Sequence, residues 1–150
     1  MPVVGGTAEK IEGLEPSFRD YLPVPSPDGR YLAYGSELKN DQTGKIDYFL
    51  RVVELNGVTA GQKVLEIDGN RIQGTGWTPD SRAIVIKRDT GNRDLIRIDL
   101  ASKQETKLSD FDANFEPWDF LWSQDGTRIL LFGSSSLTSL VRIKDMGLAD

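Results

Sequence analysis

Two residue types are missing from this chain, and each absence removes a class of chemistry. With no cysteine among its 150 residues, it has no disulfide, no thiolate metal ligand and no cysteine nucleophile. With no histidine, the usual general base, the commonest zinc ligand and any Ser-His-Asp triad within the chain are gone. Long apolar runs are also lacking, and none approaches the roughly 18 residues of a membrane-spanning helix. Met1-Pro2-Val3-Val4-Gly5-Gly6 has neither the basic region nor the apolar core of a secretory signal. Basic charge is scarce and unclustered: 18 Lys and Arg stand against 23 Asp and Glu, for a net charge of −5. Nucleic acid binding usually requires a basic surface, so neither a nucleic acid partner nor membrane insertion is expected.

What is present is repetition. Hydrophobic residues make up 38% of the chain, in short runs separated by Gly, Pro, Asp and Ser, an all-β pattern. Pro25-Ser26-Pro27-Asp28-Gly29-Arg30, Trp77-Thr78-Pro79-Asp80-Ser81-Arg82 and Trp122-Ser123-Gln124-Asp125-Gly126-Thr127 are three copies of one phrase. Each leads into an apolar stretch: Tyr31-Leu32-Ala33-Tyr34, Ala83-Ile84-Val85-Ile86 and Ile129-Leu130-Leu131-Phe132. Successive copies of the Asp are 52 and 45 residues apart. A period in the forties with several short strands per unit predicts β-propeller blades, each a four-stranded antiparallel meander with strands A to D running outward from the central channel.

The predicted first blade spans 20–68, with strands at Tyr21–Pro25, Tyr31–Ser36, Asp47–Leu55 and Lys63–Ile67. The second spans 71–110, with strands at Ile72–Trp77, Ala83–Lys87, Asp94–Leu100 and Glu105–Leu108. The third, 117–146, has Trp118–Trp122, Arg128–Phe132 and Ser139–Lys144 but no strand D. Residues 1–13 hold an orphan strand D, because Lys10-Ile11-Glu12 echoes Lys107-Leu108-Ser109. The chain is therefore three blades, half of a six-bladed ring, cut out of phase with the blade boundary.

The A–B turn has a structural rationale. Pro27 and Pro79 preset φ at the second turn position, Asp28, Asp80 and Asp125 suit the third, and Gly29 and Gly126 tolerate positive φ at the fourth. An Asp here accepts backbone N–H bonds of its own turn, which favours a folding role over a catalytic or metal role. Ser81 in place of Gly, Gln124 in place of Pro and Pro25 in place of Trp read as tolerated drift. Trp77 and Trp122, in register, are expected to pack between blades. Tyr21 and Trp118 begin A strands near the channel mouth and are candidates for ligand binding. The acidic loops at 41–47 and 89–94 do not match a calcium-loop pattern, and no phosphate-binding helix follows Gly5-Gly6. Carboxylates on separate blades can do acid–base chemistry, but Glu15, Asp20, Glu116 and Asp119 read as loop charges. No catalytic residue, cofactor or metal is expected.

Ser26-Pro27-Asp28-Gly29-Arg30-Tyr31-Leu32-Ala33-Tyr34, with its copies at 77–81 and 122–126 and the strand-D phrase at 2–10, resembles the TolB-like, PD40 group of WD40-like propeller repeats. The last unit, through Ser139-Leu140-Val141-Arg142-Ile143-Lys144-Asp145, is similar to the terminal blade of propellers that end bacterial serine/threonine kinases and winged-helix regulators. The resemblance implies a propeller of six or more blades that binds proteins or senses ligands without a cofactor, in a bacterial and, for a fragment, extracytoplasmic setting. It extends to the propeller that gates prolyl-oligopeptidase-type serine peptidases, whose Gly-x-Ser-x-Gly elbow this chain lacks.

Three blades cannot close a ring without each sheet turning too far, and an open half-ring leaves apolar faces and a strand edge in water. One expectation is a homodimer: strand Thr7, Lys10 and Ile11 of one copy pairs beside Leu140 and Ile143 of the other, giving six blades about a two-fold axis. The alternative is a C-terminal piece of a longer propeller, serving a kinase or transcription regulator as its sensor or a peptidase as its gate. The leading functional expectation is a non-catalytic interaction module whose ligand surface is the channel mouth, with protein partner and small ligand both open.

Overall fold

The computed structural model describes residues 9–14, 23–57, 59–70, 72–89, 93–111, 114–123, 126–134 and the backbone of 141–143. Within these the chain is all-β. Strands β1 (Val24–Pro25), β2 (Tyr31–Lys39), β3 (Ile46–Asn56) and β4 (Thr59–Asp68) form one sheet. Strands β5 (Ile72–Trp77), β6 (Ala83–Arg88), β7 (Leu95–Asp99) and β8 (Glu105–Lys107) form the second. Strands β9 (Glu116–Trp122), β10 (Ile129–Ser134) and β11 (Val141–Ile143) form the third. Within each sheet the strands lie in chain order and every pair is antiparallel, which is the meander of a propeller blade.

Some strands run longer than the sequence pattern predicts. Strand β2 continues to Lys39 because it pairs residue for residue with β3 from Tyr31↔Glu54 to Lys39↔Ile46. The loop beyond it is tied by Asn40, whose side-chain oxygen accepts the N–H groups of Gln42 and Thr43 at 3.0 Å. Strand β4 begins at Thr59 rather than Lys63, since Gly57, at φ 65°, turns the chain back on β3. Strand β9 begins at Glu116, two residues early.

Side chains alternate between faces along a strand, and this assigns each core. Ala33, Leu50, Val52 and Leu65 of the first blade pack against Trp77, Ile84, Ile86 and Ile98 of the second. Val85 and Leu95 of the second pack against Phe120, Ile129 and Leu131 of the third. Each blade thus has a forward face toward the next blade and a backward face toward the one before. The backward face of the first blade, Leu32, Tyr34 and Val53, is also buried, with Ile11, Leu14, Leu55 and Ala60 packed on it.

Candidate functional site

The repeated phrase builds the same turn three times. The N–H at its fourth position donates to the carbonyl of its first at 2.9 Å: Gly29 to Ser26, Ser81 to Thr78, and Gly126 to Ser123. That fourth position is left-handed in every copy, with φ of 73°, 61° and 70°. The hydroxyl at the first position completes the turn. Ser26 Oγ donates to Asp28 Oδ1 at 2.6 Å and accepts the Tyr31 N–H at 3.0 Å. Thr78 Oγ1 repeats this with Asp80 Oδ1 at 2.6 Å and the Ala83 N–H at 3.0 Å. Ser123 Oγ accepts the Arg128 N–H at 2.9 Å.

These hydrogen bonds set the state of the carboxylates. The Ser26 hydroxyl and the Arg30 N–H hold Asp28 below the ordinary aspartate value. At Asp80 burial pushes upward, but the Thr78 hydroxyl and Arg82 N–H outweigh it and the net shift is down. Both are ionised at neutral pH and accept hydrogen bonds from their own turns. Asp125 lies outside the described residues, as do Tyr21, Thr7, Leu140 and the side chain of Ile143.

Adjacent turns touch across the blade junctions. Ser81 Oγ accepts the Asp28 N–H at 3.1 Å. A Cβ on Gly126 would meet Pro79 Cγ at 3.1 Å. Trp77 crosses the first junction: its ring stacks on Tyr31 at 5.9 Å and 20°, and its Nε1–H donates to the Val24 carbonyl at 2.8 Å. Trp122 packs beside the core of the second junction, and its Nε1 is buried without a partner among the described residues. Gly76 instead lies under the Phe120 ring, which a Cβ there would approach at 2.9 Å.

Two features here were not singled out in the sequence. On the turn face, between the first two blades, lies an open cleft of about 490 Å³ lined by Asp28, Arg30, Tyr31, Arg82, Asp99 and Leu100 among others. The recurring Asp-x-Arg at 28–30 and 80–82 was its available signal. The other is Lys87, buried at the end of β6, whose Nζ donates to the carbonyls of Pro117 at 2.9 Å and Trp118 at 2.8 Å. Burial pushes its pKa below the ordinary lysine value, against the pull of Asp119. Beside it Arg93 pairs with Glu116, while Trp118 itself is 62% exposed. Lys10 makes an exposed pair with Glu12. Among the described residues no three Asp or Glu come together as metal ligands.

The repeated blades, joined turn to turn, define a β-propeller segment. No family model matches the chain, and no curated protein does. Solved structures do. Acylaminoacyl peptidase from Pyrococcus horikoshii superposes with a TM-score of 0.51 at 20% identity, over 69% of this chain and 15% of that one. The β-propeller domain of the Trilobed protease from Pyrococcus furiosus gives 0.51 at 17%, over 73% and 32%. A puromycin hydrolase gives 0.53 at 20%, over 75% and 18%. The chain thus spans a third or less of these structures, and the likeness is one of fold.

Proposed function

We propose that this chain is a non-catalytic interaction module of the TolB-like, PD40 type that assembles with a second copy into a six-bladed ring. One observation carries the reading. The forward faces of the first two blades are each covered by the next blade, whereas that of the third is open, with Leu121, Leu130 and Phe132 at 54%, 37% and 37% exposure. Contiguous apolar surface of this kind marks an association site. Two copies make six blades, with identical junctions related by a two-fold axis. The ionised, turn-bound aspartates and the lack of histidine and cysteine support binding rather than turnover.

The test pairs two assays. Peptidase and esterase substrates are expected to give no turnover above buffer, and immobilised chain is expected to capture labelled chain saturably. Turnover above buffer, or no self-capture, overturns the proposal. A second reading, favoured by the peptidases among the structural neighbours, makes the segment part of a propeller gating a serine peptidase. It predicts a hydrolase domain with a Gly-x-Ser-x-Gly elbow in the same full-length protein.

A further inference from the structure

The cleft between the first two blades lies on the turn face, at the opposite end of β6 from Lys87. Its apolar floor is Tyr31, Val64 and Leu100. The Tyr31 ring is fixed there by stacking on Trp77 at 5.9 Å. Lys103 ties the two sides together. Its Nζ donates to the Val64 carbonyl of the first blade at 2.6 Å and to the Leu100 carbonyl of the second. A cleft of about 490 Å³ falls in the ordinary size range of small-molecule sites.

The charged groups around this floor divide into engaged and free. Asp28 Oδ1 accepts the Ser26 hydroxyl and the Arg30 N–H, and Asp80 Oδ1 accepts the Thr78 hydroxyl and the Arg82 N–H. Asp99 accepts the Ala101 and Ser102 N–H groups and pairs with Arg97 at 3.3 Å. The side chains of Arg30 and Arg82 differ. Both residues are exposed, and among the described residues neither guanidinium makes a hydrogen bond or an ion pair. The Arg30 guanidinium stands 5.4 Å from the centre of the Tyr31 ring. Arg82 follows Ser81, whose hydroxyl binds the Asp28 N–H across the junction. Each blade thus brings one free guanidinium to the same cleft. A guanidinium presents a planar fork of donors that fits a carboxylate through two parallel hydrogen bonds.

We infer that this cleft binds a small organic acid, its carboxylate held by Arg30 and Arg82 and its apolar body laid on Tyr31, Val64 and Leu100. The carboxylate brings the acceptors that the two guanidiniums lack within the chain. A cationic ligand fits less well, because the three aspartates of the wall already accept hydrogen bonds from their own turns. An aromatic or branched aliphatic body suits a floor of one ring and two aliphatic side chains. The site lies within one chain and uses no part of the third blade, so it stands independently of the assembly proposed above.

The probe is N-acetyl-L-phenylalanine, titrated into the full chain while the backbone amide signals are followed by NMR. Its amide, N-acetyl-L-phenylalaninamide, removes the charge, and acetate removes the body. The acid is expected to shift the signals of residues 28–31, 81–82 and 99–101 saturably, with the amide and acetate each weaker by about tenfold or more. Arg30→Gln and Arg82→Gln, made separately, are each expected to weaken the acid by about tenfold as well. The same spectra report whether each variant is folded, and if one is not, the other carries the test. An amide that binds as tightly as the acid, acetate that binds as tightly, an acid affinity unchanged in a folded variant, or no saturable shift at these residues overturns the proposal. Light scattering on the same samples reads self-association separately, so loss of this site and loss of the assembly are told apart.

Discussion

The hydroxyl of Ser81 accepts the backbone N–H of Asp28 at 3.1 Å, joining the A–B turns of neighbouring blades. Ser81 holds this bond from a left-handed conformation, φ 61°, which costs an L residue about 1–2 kcal/mol. Ser81→Ala keeps the strain and loses the acceptor, for a loss of about 1 kcal/mol. Ser81→Gly loses the acceptor but relieves the strain, so it lies closer to the parent. Urea unfolding at neutral pH reads the order; Ser81→Ala as stable as Ser81→Gly contradicts it.

Acid should loosen the turns. Asp28 and Asp80 are held below the ordinary aspartate value, and so is Asp99, by the Ser102 and Ala101 N–H groups and the Ser102 hydroxyl. A carboxylate with a depressed folded pKa contributes stability that is complete above its unfolded value, about 3.9, and is lost as pH falls through the lower folded value. The urea midpoint is therefore expected to hold from neutral pH to about 5 and to drop below about 4. Asp28→Asn with Asp80→Asn should flatten that drop. An identical acid slope in parent and variant contradicts the assignment.

Lys87 ties the second blade to the third through two carbonyls of β9. Lys87→Met relieves the buried charge but leaves both carbonyls without this donor, and a net loss of about 1–3 kcal/mol is expected. Amide hydrogen exchange should rise in β9 and β10 more than in β2 and β3. Uniform exchange across the three blades would argue against a local tie.

Trp77 contributes by area and by one hydrogen bond. Trp77→Phe keeps a ring against Tyr31 and loses the bond to the Val24 carbonyl, for about 1 kcal/mol. Trp77→Ala empties the junction and is expected to cost about 3–5 kcal/mol. Thermal melts separate the two, and equal losses would show that the ring does not fill the junction.

Much of the fold was legible because its signals are local. The turn phrase recurs where each A strand meets its B strand, and the apolar runs that follow it, Ala83-Ile84-Val85-Ile86 and Ile129-Leu130-Leu131-Phe132, mark β6 and β10. What escaped depends on neighbours. Ser81 looked like drift from Gly because its partner, Asp28, is one blade away in sequence. Lys87, closing an aliphatic run, reads as a solvated strand end until β9 is placed over it. The hydroxyls of Ser26, Thr78 and Ser123 stood within the quoted phrase, but their bonds need the turn's geometry.

The central claim is that the open face of the third blade is closed by a second copy. Light scattering after size exclusion, run across a dilution series, tests it most directly. A mass near twice 16.7 kDa that returns toward 16.7 kDa on dilution and in Leu130→Asp is the predicted result. A parent chain that stays at 16.7 kDa at every concentration contradicts it.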